Sequence, residues 1–139
     1  MKKYQYAFIS CVKTKRDYPC AAKDMYISPL FRYAYAYAMR RVAKDKIYIL
    51  SAKYGLLPAD KKIEPYEKTI SNARKQEQKI WSYKILNMMK DYNIPYDANI
   101  LILAGGGYRK YIENYLPNAK CPVHGLSMGK MLNFYKENK

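Results

Sequence analysis

The sequence predicts a single α/β domain, a three-layer α/β/α sandwich built on a small, mainly parallel sheet of about four strands. Three observations lead there. Short strand-like runs at 4–11, 47–50, 100–103 and 120–123 alternate with segments of helical periodicity, the pattern of a sheet whose crossovers are helices. The run Ile-Leu-Ile-Leu at 100–103 is continuously apolar, which suits a strand covered on both faces. The 139 residues, half of them apolar, contain no Gly, Ser or Pro tract, no repeat and no low-complexity segment, so they suit one core spanning 1–139.

The elements follow in order. Residues 4–11 read as a first strand that stops at a polar stretch, and residues 12–27 as a long loop carrying Lys13, Lys15, Arg16, Lys23 and Asp24. Ser28-Pro29 is a helix start, with serine as cap and proline at the first helical position; Leu30, Ala34, Ala38 and Val42 then form one apolar stripe. The Tyr-Ala alternation at 33–38 has strand periodicity, but the start signal, the alanines and the Arg40-Arg41 pair near the end favour helix. A short buried strand at 47–50 leads to Ser51-Ala52-Lys53-Tyr54-Gly55 and a second long polar connection reaching Thr69. The longest helix is expected at about 71–92, with Trp81, Ile85, Met88 and Tyr92 on one face and Asn93 and Pro95 ending it. After the strand at 100–103, Gly105-Gly106-Gly107 turns into a short helix bearing Tyr108, Tyr111, Ile112 and Tyr115. A last strand at 120–123 and a helix capped by Ser127, running to about Glu137, complete the chain.

Composition narrows the function classes. The first residues carry no long apolar core or small-residue cleavage site, and no apolar run approaches the roughly 20 residues of a membrane helix, so a cytoplasmic protein is expected. Three cysteines, Cys11, Cys20 and Cys121, argue against a disulfide framework. The net charge of +15 is spread over the whole chain and suits a polyanionic partner, although a lysine-rich proteome also produces lysine-rich surfaces. Seventeen tyrosines stand beside those cations, some offering stacking faces for bases and many required by the core.

In a parallel sheet the ligand crevice lies outside the carboxyl ends of the strands, and here those ends carry three candidate turns. The first is Ser10-Cys11-Val12-Lys13-Thr14-Lys15, continuing to Asp24, Tyr26 and Ser28: a hydroxyl and two lysines to hold a phosphate, and a carboxylate to orient water or a base edge. An ordinary solvated loop explains it equally well. The second is Ser51, Lys53, Tyr54 and Gly55, followed by Ile63-Glu64-Pro65-Tyr66, with Glu64 as the other available general base; a turn and a surface loop is the plain alternative. In the third, Gly105, Gly106 and Gly107 let backbone N–H groups approach an anion while Arg109 and Lys110 add charge, or simply make a tight strand-to-helix turn. The spacing is not that of a dinucleotide fingerprint. The stretch 125–131, Gly-Leu-Ser-Met-Gly-Lys-Met, fails as a P-loop because its spacer is one residue short and Met131 replaces the magnesium-binding hydroxyl. A zinc site from Cys11, Cys20, Cys121 and His124 lacks any C-x-x-C pair, so no metal or other cofactor is expected. Cys11 as nucleophile with His124 as base is a further arrangement at the strand ends, set against the commoner role of such a cysteine as a small buried residue.

The stretches SCVKTK, YISPLF, ILSAKYGLL, IEPYEKT, GGGYRKY and GLSMGKML, in this order over nearly the whole chain, resemble a family of bacterial and phage domains of unknown function. That family is loosely similar to YaaA-type peroxide-stress proteins and to a domain of archaeal tRNA-deazaguanine enzymes, relatives suggested to share a uracil-DNA-glycosylase-like fold. The resemblance implies a nucleic-acid or nucleotide function, with base excision from modified DNA as its enzymatic form, and transfers no catalytic residue. Charge, crevice and resemblance together lead to an enzyme that cleaves the N-glycosidic bond of a modified base. Lys13, Lys15 and Lys53 would grip phosphates, with Ser10, Ser51 and Arg109 beside them; Tyr26, Tyr54 or Tyr66 would stack on the base; Asp24 or Glu64 would position water. The alternative is a nucleic-acid- or nucleotide-binding module without chemistry. A third class is a protein that sequesters a phosphorylated signalling molecule through the glycine turn.

Overall fold

The computed structural model describes residues 3–139; Met1 and Lys2, which belong to the start of the chain read as leaderless, lie outside the described residues. The main sheet holds β1 (Tyr6–Ser10), β3 (Ile47–Ser51), β4 (Gly55–Pro58) and β6 (Ile100–Leu103), in the order β4-β3-β1-β6. Central β1 runs parallel to both β3 and β6, and β4 returns antiparallel along β3. A separate two-stranded ribbon pairs β2 (Cys20–Ala21) with β5 (Lys62–Ile63).

Helices cover both faces, as the uninterrupted burial of β3 and β6 requires. On one face α2 (Pro29–Met39) packs on β1 and on α5 (Met128–Glu137); on the other α3 (Lys75–Asp91) packs on β4 and on α4 (Gly106–Arg109). The predicted caps form: Ser28 Oγ accepts the Phe31 N–H at 3.3 Å, and Ser127 Oγ accepts the Lys130 N–H at 3.3 Å. Helix α3 ends where expected. Asn93 turns left-handed at φ 58°, and the Asn93 and Ile94 N–H groups bond back to the Lys90 and Met89 carbonyls, which satisfies the helix's last acceptors.

The sequence pattern misses structure in both long connections. Residues 12–27 contain β2 and the short α1 (Ala22–Met25), and the segment closes on itself through a bridge between Lys15 and Tyr26. Residues 51–69 contain β4 and β5. Leu56-Leu57 is too short an apolar run to announce a strand, and Pro58, tolerated because β4 is an edge, looks like a breaker. Gly55, at φ 80°, permits the tight return from β3 that puts β4 antiparallel. Conversely, the strand expected at 120–123 shrinks to one parallel bridge from Lys120 to Leu101. Pro122 has no N–H to extend the ladder, and the chain turns at once, with His124 N–H on the Cys121 carbonyl. Helix α3 also begins later than the periodicity suggests, because Ile70 to Ala73 forms a turn of its own.

The ribbon organises the carboxyl edge of the sheet. By pairing Cys20 with Ile63 and Ala21 with Lys62, it pins the two long connections to each other beside that edge.

Gly107 provides a test of how α4 is seated. A Cβ there would lie 2.7 Å from Ser71 Cα and 2.9 Å from its carbonyl oxygen, whereas one on Gly106 would meet nothing within 4 Å. Gly107→Ala is expected to lower stability by about 1–3 kcal/mol in urea denaturation, the usual penalty of overpacking against backbone, while Gly106→Ala leaves it within about 0.5 kcal/mol.

Candidate functional site

At the carboxyl edge, the last residue of β1 and the one that follows it part company. Ser10 faces α2 and α5 and lines a narrow cavity with Leu30, Phe31, Met131 and Tyr135. Cys11 faces the other way, buried, with its Sγ 3.3 Å from Tyr108 Oη of α4. The Tyr108 hydroxyl also lies 3.4 Å from the Ile70 N–H and 3.5 Å from Thr69 Oγ1.

Next to Cys11, the end of β3 supplies Ser51, fully buried, with its hydroxyl and its carbonyl both engaged. Its Oγ accepts the Tyr54 N–H at 3.0 Å and donates to Tyr66 Oη at 2.9 Å; its carbonyl accepts the Trp81 Nε1–H at 2.9 Å. Tyr66 Oη is in turn 2.7 Å from Tyr26 Oη. Burial, reinforced by the neighbouring Cys11 thiol, pushes Tyr26, Tyr66 and Tyr108 well above the ordinary phenol range, so all three are neutral hydrogen-bonding phenols at physiological pH.

Lys15 lies over this chain of hydroxyls. Its Nζ is 4.6 Å from the Tyr66 ring centre and 5.9 Å from that of Tyr26, and donates to the Lys13 carbonyl at 3.1 Å. Burial lowers its pKa, against the opposing pull of Cys11 and Glu67. Among the described residues its ammonium joins neither of the two salt bridges, Lys23–Asp60 and Arg109–Glu113. The cation is therefore partly withdrawn from water and held on aromatic faces rather than on a carboxylate.

Of the residues singled out from the sequence, Lys15, Tyr26, Ser51 and Tyr66 form one cluster, with Tyr54 at its rim, edge to face with Tyr66 at 5.6 Å. Tyr26 and Tyr66 are buried, so neither presents an open face to a base in this conformation. Lys13 is exposed beside Lys15, and Lys53 is exposed at the β3–β4 hairpin, its Nζ 5.1 Å from the Tyr54 ring centre. Asp24 is exposed on α1, its carbonyl accepting the Arg16 Nε–H at 2.8 Å and its carboxylate acting on Cys20 and Tyr35 rather than on the hydroxyl chain. Glu64 is exposed and meets Tyr54 Oη only through its backbone. Arg109 is buried and committed: Nη1 pairs with the Glu113 carboxylate at 3.1 Å and Nε donates to the Ala104 carbonyl at 3.2 Å. Gly105 and Gly106 leave open space beside bare backbone, whereas Gly107 packs on Ser71. His124 is exposed in the turn after Lys120, and among the described residues no group of three His, Cys, Asp or Glu side chains is placed to hold a metal ion.

Sequence pattern alone does not mark Tyr108, Thr69, Trp81 or Glu67 as parts of the site. Glu67 and Thr69 sit in the stretch 64–69, and Tyr108 directly follows the glycines; only the fold brings Tyr108 to Cys11, Thr69 to Tyr108 and Glu67 toward Lys15. A hollow of about 490 Å³ opens elsewhere, among Lys3, Tyr4, Asn99, Lys120 and Cys121, and contains none of the clustered hydroxyls.

Removing the middle hydroxyl separates structure from solvation. Tyr66→Phe leaves the Ser51 and Tyr26 hydroxyls each short of a partner and is expected to lower stability by about 1–3 kcal/mol in urea denaturation, with Tyr54→Phe costing less. Because the three phenols have raised folded-state pKa values, their contribution is complete below the unfolded value of about 10 and is lost as pH rises above it. Absorbance titration of the wild type should show tyrosines that ionise only as the chain unfolds in alkali, and Tyr66→Phe should unfold at lower pH.

Residues 6–137 match the model described as a family of unknown function, DUF6884. No curated protein and no solved structure matches the chain. With nearly its whole length covered, the chain belongs to the DUF6884 family.

Proposed function

We propose that the chain binds nucleic acid or a nucleotide at the carboxyl ends of β1, β3 and β6. The observation that carries this reading is Lys15, a cation held on two tyrosine rings and outside any salt bridge among the described residues. Partial burial of an unpaired charge is unfavourable, and an anionic ligand group relieves it. The net charge of +15 favours a polyanion over a neutral ligand of the same shape. Lys13 and Lys53 extend the positive rim, and the buried, mutually bonded hydroxyls beneath hold Tyr26 and Tyr66 in place under Lys15. A cytoplasmic setting and the finer likeness to YaaA-type proteins and tRNA-deazaguanine domains belong to the same proposal.

Cleavage of an N-glycosidic bond is the second reading, favoured by one feature: Asp24 and Glu64 follow closely on β2 and β5, the two strands of a single ribbon. A movement of that ribbon would carry both carboxylates together, as positioning water against a glycosidic carbon requires.

Fluorescence anisotropy with labelled oligonucleotides tests the binding reading. Affinity is expected to fall steeply with salt, and Lys15→Ala to weaken binding about tenfold while flattening the salt slope by somewhat less than one unit. Salt-independent binding, or none at low salt, overturns it. Mass spectrometry for base released from natural and hypermodified DNA decides between the readings: release lost in Asp24→Asn or Glu64→Gln supports the enzyme, and tight binding without release supports the module.

A further inference from the structure

Beyond the carboxyl edge, one strip of surface combines exposed aromatic rings with cations. It lies between α3 and the segment that continues α4 through a 3-10 turn at Glu113–Tyr115. Lys79 of α3 and Lys110 both place Nζ over the ring of Tyr111, 5.6 and 5.5 Å from its centre. Farther along, Tyr83 of α3 meets Tyr115 edge to face, ring centres 6.4 Å apart, and the two residues are 48% and 50% exposed. Half-exposed tyrosines in pairs are unusual surface for a helix whose other outward residues are mostly charged or amide.

Charge is sorted along the same line. At 100° per residue, Lys75, Lys79, Tyr83 and Lys90 fall on the flank of α3 that the Tyr111 and Tyr115 contacts turn toward this strip. The two acidic residues of α3, Glu77 and Asp91, fall away from that flank, on either side of Lys84. The nearby Glu113 is already neutralised by Arg109. The strip is tied to the loop at 69–71, whose Thr69 lies 3.5 Å from Tyr108 Oη at the carboxyl edge. It starts at Gly106 and Gly107, where the chain leaves β6, and Gln78 of α3 donates to the Ile70 and Ser71 carbonyls at 2.9 and 3.3 Å, fixing the helix to the loop that carries Thr69.

We propose that this strip is the track of a single-stranded nucleic acid, whose phosphates follow Lys79 and Lys110 and whose bases stack on Tyr83 and Tyr115. Cations and half-exposed aromatic rings following one another along one surface suit a flexible polyanion with planar groups. An acidic peptide would use the lysines without needing the rings, and a duplex keeps its bases stacked inward. The proposal rests on nucleotide binding at the Lys15 cluster and adds its substrate class: a strand with one nucleotide at that cluster and its neighbours extending along α3.

The test compares a labelled mononucleotide, oligothymidylates up to roughly a dozen nucleotides, duplex DNA of the same length and an oligoglutamate, on wild type, Tyr83→Ala/Tyr115→Ala, Tyr83→Phe/Tyr115→Phe and Lys79→Ala/Lys110→Ala. Wild-type affinity is expected to rise with oligonucleotide length and to exceed that for duplex. The double alanine variant should lose at least about fivefold per ring on the long oligonucleotide, the phenylalanine variant should retain affinity, and the mononucleotide affinity and the melting temperature should be unchanged in both. The lysine variant should flatten the salt slope by about 1.4. Affinity independent of length, unchanged affinity in the alanine variant, or stronger binding of duplex or oligoglutamate overturns the track while leaving mononucleotide binding intact. Failure of the wild type to bind mononucleotide and oligonucleotide alike overturns both proposals.

Discussion

Ser51 is the constraint on which the carboxyl edge depends. It ends β3 at a point with no access to water, so each of its polar atoms needs a protein partner, and each partner comes from a different part of the chain. The Tyr54 N–H holds the hairpin into β4, the Trp81 indole fixes α3 across the sheet, and the Tyr66 hydroxyl anchors the second long connection and, through Tyr26, the first. A residue that on the surface would be a neutral turn serine thus sets where three elements meet. The edge-to-face contact of Trp81 with Tyr108, ring centres 5.4 Å apart, carries the same positioning to α4 and the glycine turn.

This arrangement gives the two long connections a division of labour. Their inner residues, Tyr26 and Tyr66, are core. Their outer residues, Lys13, Asp24, Glu64 and Glu67, are solvent-facing and free to meet a ligand. The short β2–β5 ribbon keeps the outer parts in register without burying them. A polar loop of such length would ordinarily be held only by its ends; here it is pinned at the middle as well.

Much of the fold is legible from local signals with a clear physical origin. Ser28 and Ser127 announce helix starts because few residues satisfy an orphan N–H so well, and the unbroken apolar run of β6 requires burial on both faces. What escapes is set by pairing rather than by local pattern. Strands β2, β4 and β5 are two to four residues long and exist because a partner strand lies alongside; the run at 120–123 has strand character but meets Pro122 after one bridge. The site divides in the same way. Lys15, Ser51, Tyr26 and Tyr66 sit in stretches the sequence marks, but the closeness of Cys11 to Tyr108, 97 residues away, has no sequence signal at all. Arg109 shows the converse, a cation beside glycines whose i+4 neighbour Glu113 claims it for the interior.

The parallel pairing of β1 with both β3 and β6 has a consequence for how the molecule comes into being. The central strand is the first in the chain, and its two neighbours begin roughly 40 and 90 residues later, so the sheet closes large loops before it gains its hydrogen bonds. The hydroxyl chain at its edge draws on Tyr26, Ser51 and Tyr66, and the adjoining contacts on Cys11 and Tyr108, so the crevice has no counterpart in any half of the chain. Pairings this distant in sequence slow folding relative to local contacts, and the crevice is complete only when β6 has paired with β1 and brought Tyr108 to Cys11.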